Sequence, residues 1–330
     1  MMSILKRILA ILITIIIFFV FGEILTRIYL HYNTVYDIEM TRYGLYVKQD
    51  SDNPNIAFEH KPDSSMELMD VMVDINSDGL RDKEYPFQRD NKYRIIFLGD
   101  SLTLGWGVKE EDTFEYILEE NLNSRYPTEI INFGTGNYNT VQEVNLFIEK
   151  GIKYRPDKVV LFYFINDAEV TPKKSKWWFL GYSEFISFYW SRINIFMGKH
   201  VQSNSFKDYY SALYAEGQPG WENAKEAILN LKELSQKEGF QFQVVLLPEL
   251  HDTKNQIFGD IYNKISSFLA KNDIDYISLG KLFENQDNEI ELWVSYDDAH
   301  PNDVANRKIA DTLTDFISKA GDDNDQKHPE

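Results

Sequence analysis

The chain has 330 residues, with Lys+Arg 34 against Asp+Glu 52 and a formal net charge of −18. That balance speaks against a nucleic-acid surface, which needs dense positive charge to meet phosphates. There is no cysteine, which excludes thiol catalysis, disulfide frameworks and thiolate-bound zinc.

The first segment is almost wholly apolar. Ile8–Gly22 carries no charge, Lys6 and Arg7 precede it, and Glu23 and Arg27 follow. Extended through Leu30, the stretch reaches the ~20 residues that a bilayer core demands. No small-residue cleavage site of the A-x-A type follows it, so the reading is an uncleaved signal anchor over 1–32 rather than a signal peptide. The basic residues lie before the span. This predicts a single-pass protein of the cytoplasmic (inner) membrane with the remainder outside the cytoplasm, in a periplasm where one exists.

Residues 33–90 are polar and aromatic with short alternating pieces, and Asn76-Ser77-Asp78-Gly79 is a turn signal. They read as a β-rich lead-in packed on a main domain at 91–320. From Tyr93 onward, strand and helix patterns alternate, the mark of a parallel sheet in an α/β protein. Strands are expected at Tyr93–Leu98, Glu129–Phe133, Lys158–Phe164, Phe242–Leu247 and Tyr276–Ser278. Helices are expected at Thr113–Asn121, Thr140–Lys150, Trp221–Glu238, Gln256–Asn272 and Ala305–Ala320. An aromatic-dense insertion at about 173–214 interrupts the alternation. It includes Trp177, Trp178, Phe179, Tyr182, Phe185, Phe188, Tyr189, Trp190, Tyr209, Tyr210 and Tyr214. It reads first as a helical insertion packing a small core of its own, and otherwise as a lid or a patch against a bilayer, a glycan platform also being compatible. Residues 321–330 read as a disordered acidic tail.

The chemistry gathers where strands end. Ser101 follows Gly99 and Asp100 directly after the first parallel strand, at the sheet edge where open α/β folds place their ligands. A serine nucleophile needs a base and a carboxylate to orient that base. Tyr296-Asp297-Asp298-Ala299-His300 offers both: His300 as base and Asp297 as its orienter, three residues apart on one tight turn, with Asp298 the near rival. After the second and third strands come Gly134-Thr135-Gly136-Asn137 and Asn166-Asp167. A tetrahedral oxyanion requires preorganised N–H donors. The Ser101 backbone, the Gly136–Asn137 turn and the Asn166 side-chain amide would provide them. Asp100, adjacent to Ser101, is read as shaping the turn, and His251 as a loop histidine. No metal-binding spacing occurs and no cofactor is called for.

These residues resemble the SGNH hydrolases, also called GDSL-type esterases and lipases. Gly99-Asp100-Ser101-Leu102 resembles the family's nucleophile block, Asn166-Asp167 its third block and Asp297 with His300 its D-x-x-H block, whose spacing favours Asp297 over Asp298. The resemblance spans about 93–320. It implies a three-layer α/β/α fold of flavodoxin-like topology with a central, mainly parallel sheet. Two positions depart from the pattern: Phe164 and Asn137 stand where the family has glycine. The anchor followed by Asn76, Gly79, Leu80, Arg81 and Asp82 is similar to membrane-tethered members, many of which accompany bacterial envelope or exopolysaccharide genes.

The function implied is a membrane-anchored serine esterase that removes an O-acyl group, acetyl foremost, from an envelope glycan or exopolysaccharide. An acylated glycan or a lipid ester would be the substrate, the membrane a partner through the N-terminal helix, and nucleic acid no partner. Two alternatives stand beside it: an O-acyltransferase using the same triad, and a catalytically weak glycan-binding assembly factor on the same scaffold. A glycosidase would need two carboxylates across the scissile bond instead.

Overall fold

The structure, a computed structural model, describes residues 4–89, 91–171, 181, 183–201 and 206–322. It opens with helix α1 (Ile4–Tyr32) and the short α2 (Tyr36–Arg42). Two antiparallel hairpins follow, β1 (Lys48–Asp50) with β2 (Phe58–His60) and β3 (Ser65–Leu68) with β4 (Val71–Asp74).

The main unit then alternates as its sequence pattern predicts. In chain order come β5 (Tyr93–Leu98), a single helical turn α3 (Ser101–Leu104), α4 (Phe114–Asn123), β6 (Thr128–Asn132), α5 (Thr140–Leu146) and β7 (Lys158–Tyr163). After these come α6 (Glu184–Val201), α7 (Phe206–Leu213), α8 (Pro219–Glu238), β8 (Gln241–Leu246), α9 (Gly259–Lys271) and β9 (Asp275–Ser278). A small hairpin, β10 (Trp293–Ser295) with β11 (Asp298–Pro301), and the terminal α10 (Asp303–Asp322) complete the fold. Strands β5 to β9 form one five-stranded sheet in the order β6-β5-β7-β8-β9, every pair parallel.

Alternation along the strands builds two cores, because successive side chains leave opposite faces of a sheet. Ile96, Leu98, Val159, Leu161 and Val244 meet α5, α8 and α9 on one face. Ile95, Phe97, Val160, Phe162 and Val245 meet α4 and α10 on the other. This is the three-layer α/β/α arrangement that the resemblance implies.

The 33–90 segment contributes a third apolar cluster, in which Tyr43, Val47, Leu68 and Val73 close over Leu104 and Trp106. Its Arg81 is 3% exposed. The guanidinium donates to the carbonyls of Leu104, Gly105 and Val108, and so ties down the chain leaving α3. Asp82 accepts from the Asn132 N–H at the end of β6. The Arg81-Asp82 pair thus braces the carboxyl edge of the sheet rather than taking part in its chemistry.

Helix α1 is long and apolar enough to cross a membrane, a test that a signal sequence near a chain start also passes. Its face at residues 18–29 packs on α6. Phe185 lies edge-on to Phe18 and Phe19 with ring centroids 5.8 Å apart, and Tyr29 meets Phe188 at 5.7 Å. A Cβ on Gly22 would stand 2.7 Å from the Phe185 ring, so glycine permits this approach. The Glu23 carboxylate accepts from the Ser183 hydroxyl at 2.7 Å and from the Phe185 N–H at 3.0 Å. It caps α6 and also pairs with Arg27 at 2.7 Å. Of the insertion's aromatics, Trp177, Trp178, Phe179 and Tyr182 lie outside the described residues, as does the tail beyond Asp322.

Removing the Arg81 guanidinium takes a donor from three carbonyls at the exit of α3, each such bond being charge-assisted and worth roughly 1.5–3 kcal/mol. Arg81→Met is expected to lower unfolding stability by about 3 kcal/mol or more, measurable by urea titration of the detergent-solubilised chain. A loss below about 1 kcal/mol would contradict the bracing role.

Candidate active site

Ser101, Asn137, Asn166 and His300 line one cleft of about 220 Å³, at the carboxyl ends of β5, β6 and β7. The cleft's position follows from topology. Strand β5 lies inside the sheet between β6 and β7, its two neighbours lie on opposite sides, and their following loops diverge to leave a crevice.

Ser101 stands at the first position of α3, so its backbone N–H is among those no helical carbonyl can reach. Asp100 caps that turn, accepting from the Leu102 N–H at 2.9 Å, and its second oxygen accepts from the Asn166 amide at 2.9 Å. This fully buried carboxylate shapes the turn, as the sequence suggests. Burial raises its pKa, against the Leu102 and Asn166 hydrogen bonds and the His300 charge.

The Ser101 hydroxyl lies 2.8 Å from His300 Nε2. At the far side of the ring, His300 Nδ1 meets Asp298 Oδ1 at 2.5 Å, and the same oxygen accepts the His300 backbone N–H. Here the structure corrects the sequence reading. The partner of His300 is Asp298, while Asp297 takes the Ser295 hydroxyl at 2.7 Å. The physical reason is strand periodicity. Asp298–Pro301 is a strand, not a tight turn, and residues i and i+2 share a strand face. Asp297 stands one residue before that strand, in the turn between β10 and β11, and so lies outside this alternation.

The other Asp298 oxygen accepts the Trp106 indole N–H at 2.9 Å. Burial pushes this carboxyl up, but the His300 hydrogen bonds and charge, with the Trp106 bond, outweigh it and leave it below the usual range. Tyr36 lies over the His300 ring at 5.8 Å between centroids. Neither Trp106 nor Tyr36 was picked out from the sequence. Trp106 follows Ser101 by five residues, and only its partner makes it legible.

The Gly136–Asn137 turn resolves into two unlike donors. The Gly136 N–H is already spent on the Tyr43 hydroxyl, 3.0 Å away, so Gly136 is removed from the expected set of oxyanion donors. The Asn137 N–H has no acceptor among the described residues, and Asn137 lines the cleft. Asn137 takes φ +62°, a left-handed conformation that Asn tolerates better than most residues. Gly134 must be glycine for a different reason. A Cβ there would fall 2.2 Å from the Leu104 backbone nitrogen, so the turn lies directly on the backbone of α3. Asn166 keeps one amide hydrogen unused among the described residues, beside Phe164, whose side chain lines the cleft.

A buried relay holds the Asn137 turn from below. Burial, followed by the charge of Lys48, depresses the His60 pKa to about 3, so its ring is neutral. Nδ1 donates to the Gly79 carbonyl at 3.0 Å, which leaves Nε2 to accept from the Tyr43 hydroxyl at 2.5 Å. That hydroxyl in turn accepts from Gly136. Lys48 grips the same turn through the Gly136 carbonyl at 2.5 Å and the Asn137 side chain at 3.1 Å.

Ser101, His300 and Asp298 at this sheet edge point to an acyl-transferring hydrolase, and residues 97–308 match the model of the GDSL-like lipase/acylhydrolase family. The chain belongs to that family. It is a GDSL-type esterase or acylhydrolase. No curated protein matches this GDSL acylhydrolase, whereas several solved structures do. The acetyl xylan esterase AlAXEase is 21% identical, with 68% of this chain and 99% of that chain covered and a TM-score of 0.43. The psychrotrophic esterase EstA from Pseudoalteromonas sp. is 14% identical, with 70% and 100% covered and a TM-score of 0.45. A two-domain esterase active on acetylated mannans is 16% identical, with 69% and 49% covered and a TM-score of 0.44.

The His60 relay predicts acid sensitivity. Its folded pKa lies far below the ordinary 6.5, so the unfolded chain binds the extra proton as pH falls. The contribution is complete above about pH 6.5 and drains away toward about pH 3. His60→Gln should therefore melt with a shallower dependence on pH than the parent between about pH 6.5 and pH 4. Equal slopes in thermal unfolding would count against the buried neutral ring.

Proposed function

We propose that this GDSL acylhydrolase removes a short O-acyl group, acetyl foremost, from a cell-envelope glycan through a Ser101-His300-Asp298 triad. The observation that carries the reading is the continuous hydrogen-bonded line from the Ser101 hydroxyl through His300 to Asp298.

His300 Nε2 takes the Ser101 proton as the oxygen attacks the ester carbonyl. Asp298 holds the ring with Nδ1 protonated and stabilises the imidazolium that forms. The N–H groups of Ser101 and Asn137 and the free Asn166 amide hydrogen meet the developing oxyanion. His300 then gives its proton to the departing alcohol. Water, deprotonated by the same ring, resolves the acyl-enzyme to the acid and restores Ser101.

Helix α1 serves in this reading as a retained membrane anchor with the active site outside the cytoplasm. Its support is the contact between α1 and α6: Glu23 pairs with Arg27 and accepts from the first turn of α6, so charges that would burden a span are compensated where the helix meets the domain. The full chain is expected to stay with membranes after alkaline carbonate extraction at its full 330-residue length. A shortened, soluble product would mean a cleaved signal.

For the triad, the measurement is hydrolysis of p-nitrophenyl acetate by the detergent-solubilised chain. Ser101→Ala and His300→Ala should abolish it with the fold intact. Asp298→Asn should reduce kcat by on the order of 10³-fold or more, far more than Asp297→Asn. Turnover retained by Ser101→Ala, or a larger loss in Asp297→Asn than in Asp298→Asn, would overturn the assignment.

A further inference from the structure

The cleft holds a second carboxylate–imidazole pair that the triad does not use. His251, read from the sequence as a plain loop histidine, lines the same cleft as Ser101 and His300. Its Nδ1 is bonded to Glu249, and its backbone N–H donates to the other Glu249 oxygen at 3.0 Å. This repeats the Asp298–His300 arrangement, an acid two residues before the histidine taking both its N–H groups. Glu249 is buried, with 5% of its side chain exposed, while the His251 side chain is 49% exposed. A histidine kept only for packing would be covered, and this one is presented. Its ring sits between Phe206, 5.1 Å away, and Trp293, also 5.1 Å away. Nε2 has no partner among the described residues. Glu249 raises the His251 pKa through that hydrogen bond, against the effect of burial.

We propose that His251, oriented by Glu249, is a subsite for the alcohol half of the ester and selects a polyol ring that keeps a free hydroxyl beside the acylated one. The proposal rests on the ester-hydrolase reading above and adds the residue pair that recognises the alcohol half of its substrate. The chemistry decides what that pair recognises. Nε2 presents one polar atom that accepts from a hydroxyl when neutral and donates to it when protonated, so a hydroxyl suits it in either state. Phe206, which lines the same cleft beside it, is an apolar surface for the C–H face of a ring, while Trp293 backs the imidazole from the core side. An anionic ligand is disfavoured, because Glu249 already neutralises the imidazolium. A simple alkyl alcohol would leave the polar atom unmatched, and sites built to bind a substrate hydroxyl discriminate against analogues that lack one.

The test compares kcat/KM of the full chain in detergent on a monoacetylated methyl glucopyranoside and on cyclohexyl acetate, which has the ring without further hydroxyls. The wild type should prefer the glycoside. His251→Ala should shrink that preference by about tenfold, carried mainly by KM, as expected for one hydrogen bond of about 1.4 kcal/mol. His251→Gln, which keeps a hydrogen-bonding tip, should recover part of it. An unchanged preference in His251→Ala, or an equal loss on both esters, would overturn the subsite. A second measurement does not depend on turnover. With labelled histidine the chain gives signals from only six side chains, and the one missing in His251→Ala identifies His251. Methyl glucopyranoside added to the Ser101→Ala chain should shift that signal, and cyclohexanol should not. No shift, or the same shift from both, would refute the subsite. Hydrolysis surviving in Ser101→Ala would instead refute the triad, so the two failures are distinct.

Discussion

One indole N–H couples the two ends of the candidate site. Trp106 follows the Ser101 turn, is 1% exposed, and donates to Asp298, which in turn holds His300. The serine and the histidine stand 199 residues apart in sequence, and the β10–β11 hairpin could dock on the sheet edge in more than one register. The Trp106–Asp298 bond is buried and specific, so a shifted hairpin would strand a carboxylate and an indole without partners. Register at this point sets the distance from His300 to Ser101, and the rest of the proposed chemistry inherits it.

The segment before the main domain takes a structural part in the site. Arg81 ties the exit of α3, Asp82 the end of β6, and the His60–Tyr43 relay with Lys48 the turn that presents Asn137. These bonds converge from one side on the loops after β5 and β6. A positive-φ asparagine in place of glycine is affordable in such a cradle, because the strain of its left-handed backbone is held by neighbours rather than by the turn itself. Tyr36, from the same segment, supplies a wall beside His300.

The insertion divides its aromatics between two tasks. Phe185 and Phe188 on α6 face the N-terminal helix, while Phe206 and Tyr210 on α7 border the cleft. The two helices are consecutive in the chain. The same insertion therefore touches both the apolar helix and the cleft at Ser101, and Glu23, an acid within an apolar run, finds its purpose as the cap of α6.

Strand and helix order, the parallel sheet and the serine after β5 were all legible in the sequence, because they rest on local periodicity and on turn residues at strand ends. The five sheet strands fall within a residue of their expected bounds since buried apolar runs end abruptly. The orienting acid was not legible. Asp297 and Asp298 are adjacent and chemically alike, and the choice turns on which carboxylate meets the His300 ring once the hairpin is formed. Gly136 failed as a donor for a similar reason: its N–H meets a tyrosine 93 residues away. His251 looked like any loop histidine, because a Glu two residues earlier says nothing about exposure. Local pattern, then, determines the elements and the residue types available for chemistry. Which hydrogen-bonding groups are spent and which are left facing the cleft was decided only by long-range packing, since a donor's partner is a matter of distance in space.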